Sequence, residues 1–156
     1  MSFIGNIAAA QSAKAIGSYN RAVFNQQWKY EDAKAKAKAK VYDQVTRPKL
    51  IDDQNFAYSQ FFVDALNTGA EFRPGETTWL VGLRNKQKMA LDLAMADYNK
   101  EVERIDGVNT ALLIKAKGDA AYYKGSLMAR TEYIKAGASL LSMGQQSYDA
   151  GQLVIT

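Results

Sequence analysis

The stretch EDAKAKAKAKVYD, residues 31–43, alternates alanine and lysine with a period of two. Such alternation is typical of a half-buried strand, but alanine and lysine are among the best helix formers. On a helix the four lysines form two ridges on opposite sides, with Lys34 and Lys38 on one and Lys36 and Lys40 on the other.

The alanines of this stretch fill the two gaps between the lysine ridges. They form two pairs at helical spacing, Ala35 with Ala39 and Ala33 with Ala37. Small side chains let neighbouring helices approach closely on both flanks. The pattern therefore predicts a helix that packs on two sides, as in a bundle or a ring of helices.

The composition favours an all-α chain and excludes several kinds of chemistry. The 156 residues include no cysteine and no histidine, and only two prolines and eleven glycines interrupt helical stretches. Disulfides, thiolate metal sites and histidine-dependent catalytic triads are therefore excluded. No glycine-rich phosphate loop or metal-spaced cluster occurs, so we expect no catalytic residue, no metal and no cofactor. The net charge of +4 is weaker than is typical of a dedicated nucleic-acid binder.

The breaks in the helical pattern predict three segments. Residues 1–67 form a helical arm with a kink near Pro48, because proline disfavours helical angles in the residue before it. Residues 68–75 form a connector with a turn at Pro74-Gly75. Residues 76–156 form one long helix with a tail rich in small residues.

Large apolar residues recur along the long helix at coiled-coil spacing. Intervals of 4, 3, 4 and 3 separate Leu91, Met95, Tyr98, Val102 and Ile105. A helix on the order of 100 Å long, at ~1.5 Å per residue, cannot bury its faces alone. It needs partner helices, either its own N-terminal half or other copies. We expect long helices, arranged as a hairpin or as extended coiled-coil-like rods, in a homo-oligomeric ring or core.

The lysine row allows three interpretations from the sequence alone. It is a solvated helix face, or a row that lines a passage for DNA, or a contact with a membrane surface, where lysines extend towards the headgroups. A DNA contact predicts binding that weakens steeply with salt.

The two ends of the chain combine small residues with scattered large apolar ones. The apolar candidates for membrane insertion or oligomer contacts are Ile4, Ile7 and Ile16 at one end and Leu140, Leu141 and Met143 at the other. Small-residue faces pack backbone to backbone, in bilayers especially, and equally within soluble oligomers. No run of 18 apolar residues is present, so no ordinary transmembrane helix is expected.

The layout as a whole resembles the small internal virion, or ejection, proteins of short-tailed bacteriophages. The likeness rests on the Ala- and Gly-rich start, the Lys/Ala/Gln helix, the break at RPGETTWL (73–80) and the tail KAGASLLSMGQQSY (135–148). It spans nearly the whole chain, and GASLL is its sharpest local match. The resemblance carries over no catalytic residue, because the peptidoglycan-degrading members of that group are different, larger proteins.

The resemblance implies a location, partners and a function. Such proteins lie in the capsid core near the portal with other core proteins, leave with the genome, and help to build a channel for DNA through the host outer membrane. The resemblance therefore implies a non-enzymatic virion protein. Such a protein lies in the virion interior at first and in the host cell envelope after ejection. The alternative is a structural adaptor or scaffold-like protein that contacts portal, core proteins and packaged DNA without membrane insertion.

Overall fold

The chain is all-α. The structure is a computed structural model that describes the backbone of residues 3–152 and the side chains of residues 3–146. Its elements are α1 (Phe3–Val41), a π-helical turn (Tyr42–Thr46), α2 (Arg47–Asn67) and α3 (Thr77–Gln152), with no strand in that part of the chain. The alternating alanines and lysines lie in α1, which confirms the helical interpretation. The last residues of the predicted 76–156 segment lie outside the described part.

The helices form two compact units, each built from distant parts of the sequence. Unit 1 comprises Met1–Tyr30 with Thr110–Thr156, and unit 2 comprises Glu31–Asn109. Each unit thus combines N-terminal and C-terminal helix, whereas the predicted segments 1–67, 68–75 and 76–156 describe the order along the chain and stay a prediction. Homo-oligomeric assembly stays a prediction.

In unit 1, α1 and α3 pack antiparallel through residues without bulky side chains. A Cβ atom at Gly17 would lie 3.1 Å from the Cα of Gly125, and one at Gly118 would lie 2.7 Å from the Cβ of Phe24. Such distances leave no room for larger side chains, so the backbones approach closely. Asn6 is buried in this unit, and its Oδ1 has no hydrogen-bond partner among the described side chains.

Unit 2 is also antiparallel but combines one close contact with aromatic packing. A Cβ at Gly107 would lie 2.6 Å from the Cβ of Ala35. Further along, the ring of Phe72 lies 4.2 Å from that of Phe62 and meets Phe61 edge-on at 6.1 Å between centroids. The rings of Phe61 and Phe72 lie over Gly82 of α3, whose missing side chain leaves them space.

The π-helical turn lies directly before Pro48, near the predicted kink. The Arg47 N–H donates to the Tyr42 carbonyl, five residues back, and Pro48 is in the first turn of α2. A proline ring inside a helix collides with the carbonyl four residues earlier, which here belongs to Gln44. The carbonyl of Gln44 lies in the π turn, which is wider than an α-helical turn. The helix therefore continues past Pro48 without a break.

The connector between α2 and α3 is stabilised at both ends by backbone hydrogen bonds and a left-handed glycine. At the end of α2, Gly69 has φ +75°, its N–H donates to Leu66, and the Ala70 N–H donates to Ala65. This is a Schellman motif, which satisfies the last carbonyls of a helix. The turn at Pro74-Gly75 is present, with Gly75 at φ +95°.

The buried positions of both units hold almost only small residues. Among the described side chains, every buried residue is alanine or glycine except Asn6. No leucine, isoleucine, valine, phenylalanine or methionine is buried in residues 3–146. The hydrophobic free energy gained within one chain is therefore small, because it scales with the apolar area removed from water.

Candidate assembly interface

The four lysines of the 31–43 stretch are all exposed, and two of them pair with the acids that begin it. The Nζ of Lys34 lies 3.3 Å from Glu31, and that of Lys36 lies 2.7 Å from Asp32. These pairs stabilise the helix locally and neutralise part of the row.

The two alanine pairs of the 31–43 stretch differ in how far they are buried. Ala35 is buried against Gly107, and Ala39 is half-buried beside the same helix. Ala33 and Ala37 are exposed. Within one chain, α1 therefore uses only one of its two small-residue flanks.

The large apolar residues of α3 in unit 2 lie on the outside. Leu91, Met95, Tyr98, Val102 and Ile105, the α3 stripe, have exposed fractions between 38 % and 69 %. Within the chain α3 uses the opposite side, which includes Gly107, about 180° around the helix from the stripe. The N-terminal half of the chain thus covers the face of α3 that lies opposite the α3 stripe. The α3 stripe itself has no partner within unit 2.

Unit 1 shows the same division on its part of α3. Its buried positions are small residues, namely Ala111, Gly118, Gly125, Ala129 and Ala136. Large apolar residues on the other side are exposed, namely Leu112, Tyr123, Leu127, Ile134 and Leu141.

The apolar candidates near the two ends are accessible. Ile4 and Ile16 are exposed and Ile7 is half-buried. At the other end, Leu140, Leu141 and Met143 are exposed. These residues are therefore available to a partner or a lipid surface.

A polar network joins the π turn to α3 inside unit 2. The Tyr42 hydroxyl donates to Asp97 at 2.9 Å, and the Arg47 Nε donates to both Asp97 oxygens at 3.1 and 3.3 Å. The hydrogen bonds from Arg47 and Tyr42 lower the pKa of Asp97. Burial, and then the hydrogen bond to Asp97, raises the pKa of Tyr42. Lys100 adds an ion pair with Asp43 at 3.2 Å. The network ties the π turn and the start of α2 to α3.

The sequence-based prediction did not include the buried seam of α3, which consists of the small residues of unit 1 named above, because the large apolar residues form the more obvious stripe. Its signal is present, since Ala111, Gly118 and Gly125 follow one another at intervals of seven, as do Ala129 and Ala136. A heptad of small residues marks a close helix contact as clearly as a heptad of leucines does.

No group of three or more acidic, histidine or cysteine side chains among the described residues has the geometry to hold a metal ion. None of the described helices is long and apolar enough to cross a membrane. Comparison with protein-family models, with curated proteins and with solved structures gave no match.

Proposed function

We propose that this chain is a non-enzymatic internal virion protein of a short-tailed phage, which self-assembles in the capsid core near the portal and later helps form a channel for the genome through the host envelope. The resemblance described above supplies the setting. One structural observation supports self-assembly: the chain buries its small residues and exposes its large apolar ones.

The exposed side chains explain why copies would assemble. Monomers rarely expose long contiguous apolar surfaces, and those that do use them for contacts. In each unit the apolar side of α3 runs along the helix axis at coiled-coil spacing, which suits a second helix. Burying it against another copy supplies the hydrophobic free energy that the small-residue seam lacks.

Self-assembly is tested by sedimentation of the full chain over a range of concentrations. Tyr98→Asp places a charge on the α3 stripe and weakens self-association at least about tenfold, since a buried unpaired charge is strongly unfavourable. Asn55→Asp is the matched control, because it introduces the same side chain at an exposed position of α2, outside the α3 stripe. A chain that stays monomeric at all concentrations contradicts the proposal, as does equal association of both variants.

The channel part is tested separately, by dye release from liposomes of outer-membrane-like lipid. We expect leakage that rises with protein concentration and is lost in Leu141→Asp or Ile16→Asp, according to which end inserts. The controls Gln145→Asp and Ser18→Asp change nearby exposed polar positions and leave leakage unchanged. The channel part is wrong if both apolar variants leak like the controls.

The adaptor function is the second candidate. It is favoured by the acidic side chains beside the α3 stripe, Asp92, Glu103 and Asp106, which suit contact with protein better than with lipid tails. A discrete oligomer without dye release at any concentration supports this alternative and leaves the membrane to a partner.

A further inference from the structure

Unit 2 exposes a second apolar surface, which differs in shape from the α3 stripe. Ala33, Ala37 and Val41, the α1 face, follow one another at intervals of four and are all exposed. Its two alanines make it flat, whereas the α3 stripe consists of long and aromatic side chains. A stripe of large side chains packs closely on such a flat face.

The two surfaces also carry opposite charge. Lysines border the α1 face on both sides, Lys36 and Lys40 on one and Lys34 and Lys38 on the other. The α3 stripe is bordered on one side by the acidic flank, which consists of Asp92, Glu103 and Asp106. No ion pair within the described side chains joins any of these three carboxylates. Complementary charges of this kind orient one surface on another and accelerate their encounter.

We propose that the α3 stripe of one copy packs on the α1 face of a second copy, with the acidic flank against the lysines. The inference rests on the proposed self-assembly and specifies its surface. The contact is heterologous, because the two surfaces differ and each copy carries both. Repetition of such a contact generates a ring when the rotation closes and a filament when it does not.

The cleft beside Ala35 indicates which lysine ridge meets the acidic flank. Lys38 and Glu103 line the same cleft of unit 2, so within one chain they lie on the same side of the helix pair. When copies are related by rotation about an axis parallel to the helices, the acidic flank of the next copy lies on that side too. Lys38 therefore faces the neighbouring acids, whereas Lys40 belongs to the other ridge.

Paired single-cysteine variants test the contact in the full chain, which has no cysteine of its own. Ala37→Cys is mixed with Met95→Cys or with Val102→Cys and treated with a short bis-maleimide. If the contact is heterologous, the mixed samples form cross-linked dimers, and neither variant forms them alone. A chain that carries both Ala37→Cys and whichever of the other two cysteines cross-links should give a series of covalent oligomers on a denaturing gel. The largest oligomer of the series gives the copy number of a ring.

Charge reversal gives a test with a matched control. Lys38→Glu weakens self-association about tenfold, because it faces the acidic flank, and Asp106→Lys in the same chain restores it. Lys40→Glu makes the same charge change on the other ridge and alters association less than about threefold.

The outcomes separate this inference from the proposed function. A wild-type oligomer that cross-links only through identical positions, or that gives no cross-link in the mixed samples, overturns the heterologous contact and leaves self-assembly standing. Equal effects of the two lysine reversals overturn the assignment of the ridge. A chain that forms no oligomer at all refutes the proposed self-assembly and the contact with it.

Discussion

The two units of this protein hold their helices together in different ways. In unit 1, α1 and α3 meet almost backbone to backbone, at Gly17 and Gly125. In unit 2 there is one contact of that kind, Ala35 on Gly107, and the remaining contacts use side chains: an aromatic cluster and the Asp97 network. Unit 1 therefore depends largely on the absence of side chains, although Arg21 of α1 also pairs with Asp119 of α3 at 2.9 Å. Unit 2 depends largely on the presence of side chains.

This difference predicts which substitutions each unit tolerates. A close backbone contact has no flexible atom that can move aside, so an added methyl group separates the helices. A cluster of half-buried rings loses only the area that one ring covers. The free energy of unfolding should thus fall more when a side chain is added at the backbone contact of unit 1 than when a ring is removed from the cluster of unit 2.

The largest effect is expected for Gly125→Ala in unit 1. The new Cβ would lie 2.7 Å from the carbonyl oxygen of Ala13 and 2.9 Å from the Cα of Gly17. Because both are backbone atoms, we expect the free energy of unfolding to fall by about 2 kcal/mol. Chemical denaturation followed by circular dichroism measures it.

Gly137→Ala is the control for this substitution, because nothing lies within 4 Å of a Cβ built at Gly137. It should raise the free energy of unfolding by about 0.5–1 kcal/mol through helix propensity alone. If Gly125→Ala stabilises the chain as well, the close approach in unit 1 is wrong.

The next effect concerns the aromatic cluster of unit 2. Phe72→Ala removes a half-buried ring that packs on Phe61 and Phe62, so we expect a loss of about 1.5 kcal/mol. Phe56→Ala removes the same side chain from an exposed position of α2 and should cost less than about 0.5 kcal/mol. Thermal unfolding of the two variants compares them, and equal losses would argue against the cluster.

A substitution at the close contact of unit 2 should lower the free energy of unfolding by a smaller amount, which a second substitution can restore. Gly107→Ala brings a Cβ within 2.6 Å of the Ala35 Cβ and should cost about 1 kcal/mol, since only one pair of methyl groups collides. Ala35→Gly in the same chain restores the space. A double-mutant cycle should show a coupling above about 0.5 kcal/mol, and simple additivity would mean that the two residues do not touch.

The smallest effect is a pH dependence confined to unit 2. The pKa of Asp97 is lowered by Arg47 and Tyr42, so its contribution to stability is complete above its ordinary pKa of about 3.9 and is lost as the pH falls through the lowered value. The raised pKa of Tyr42 acts at the other end, where stability is lost as the pH rises through it, above about 10.

Asp97→Asn removes the acidic part of this dependence. Unfolding midpoints of the variant should change less between about pH 5 and pH 2 than those of the parent chain. An unchanged acid profile would show that the Asp97 network contributes nothing to the stability of unit 2.

Part of this structure follows from the local sequence. The helical state of residues 31–41 follows from the propensities of alanine and lysine, although their alternation imitates a strand. The turn at Pro74-Gly75 follows from the two residues themselves. The exposure of the lysines, and the pairing of Lys34 and Lys36 with the acids three or four positions earlier, also follow from spacing along one helix.

The choice of buried face does not follow from local sequence. The 4-3-4-3 spacing of Leu91 to Ile105 marked the obvious seam, yet α3 turns its glycines and alanines towards the partner helix. Two stripes at compatible spacing compete on one helix, and periodicity alone does not rank them. Contacts between distant segments decide, because closely approaching backbones gain dispersion along their whole length.

The sequence by itself thus determined the all-α class, the helical Ala-Lys stretch, the turn before α3 and the absence of histidine and cysteine chemistry. Only the tertiary structure decided which alanines are buried, that a π turn at Pro48 is tied to Asp97, and that the large apolar side chains are exposed. The physical reason is that helix formation is a local property of the backbone and its nearest side chains. Burial depends on partners that lie far away along the chain.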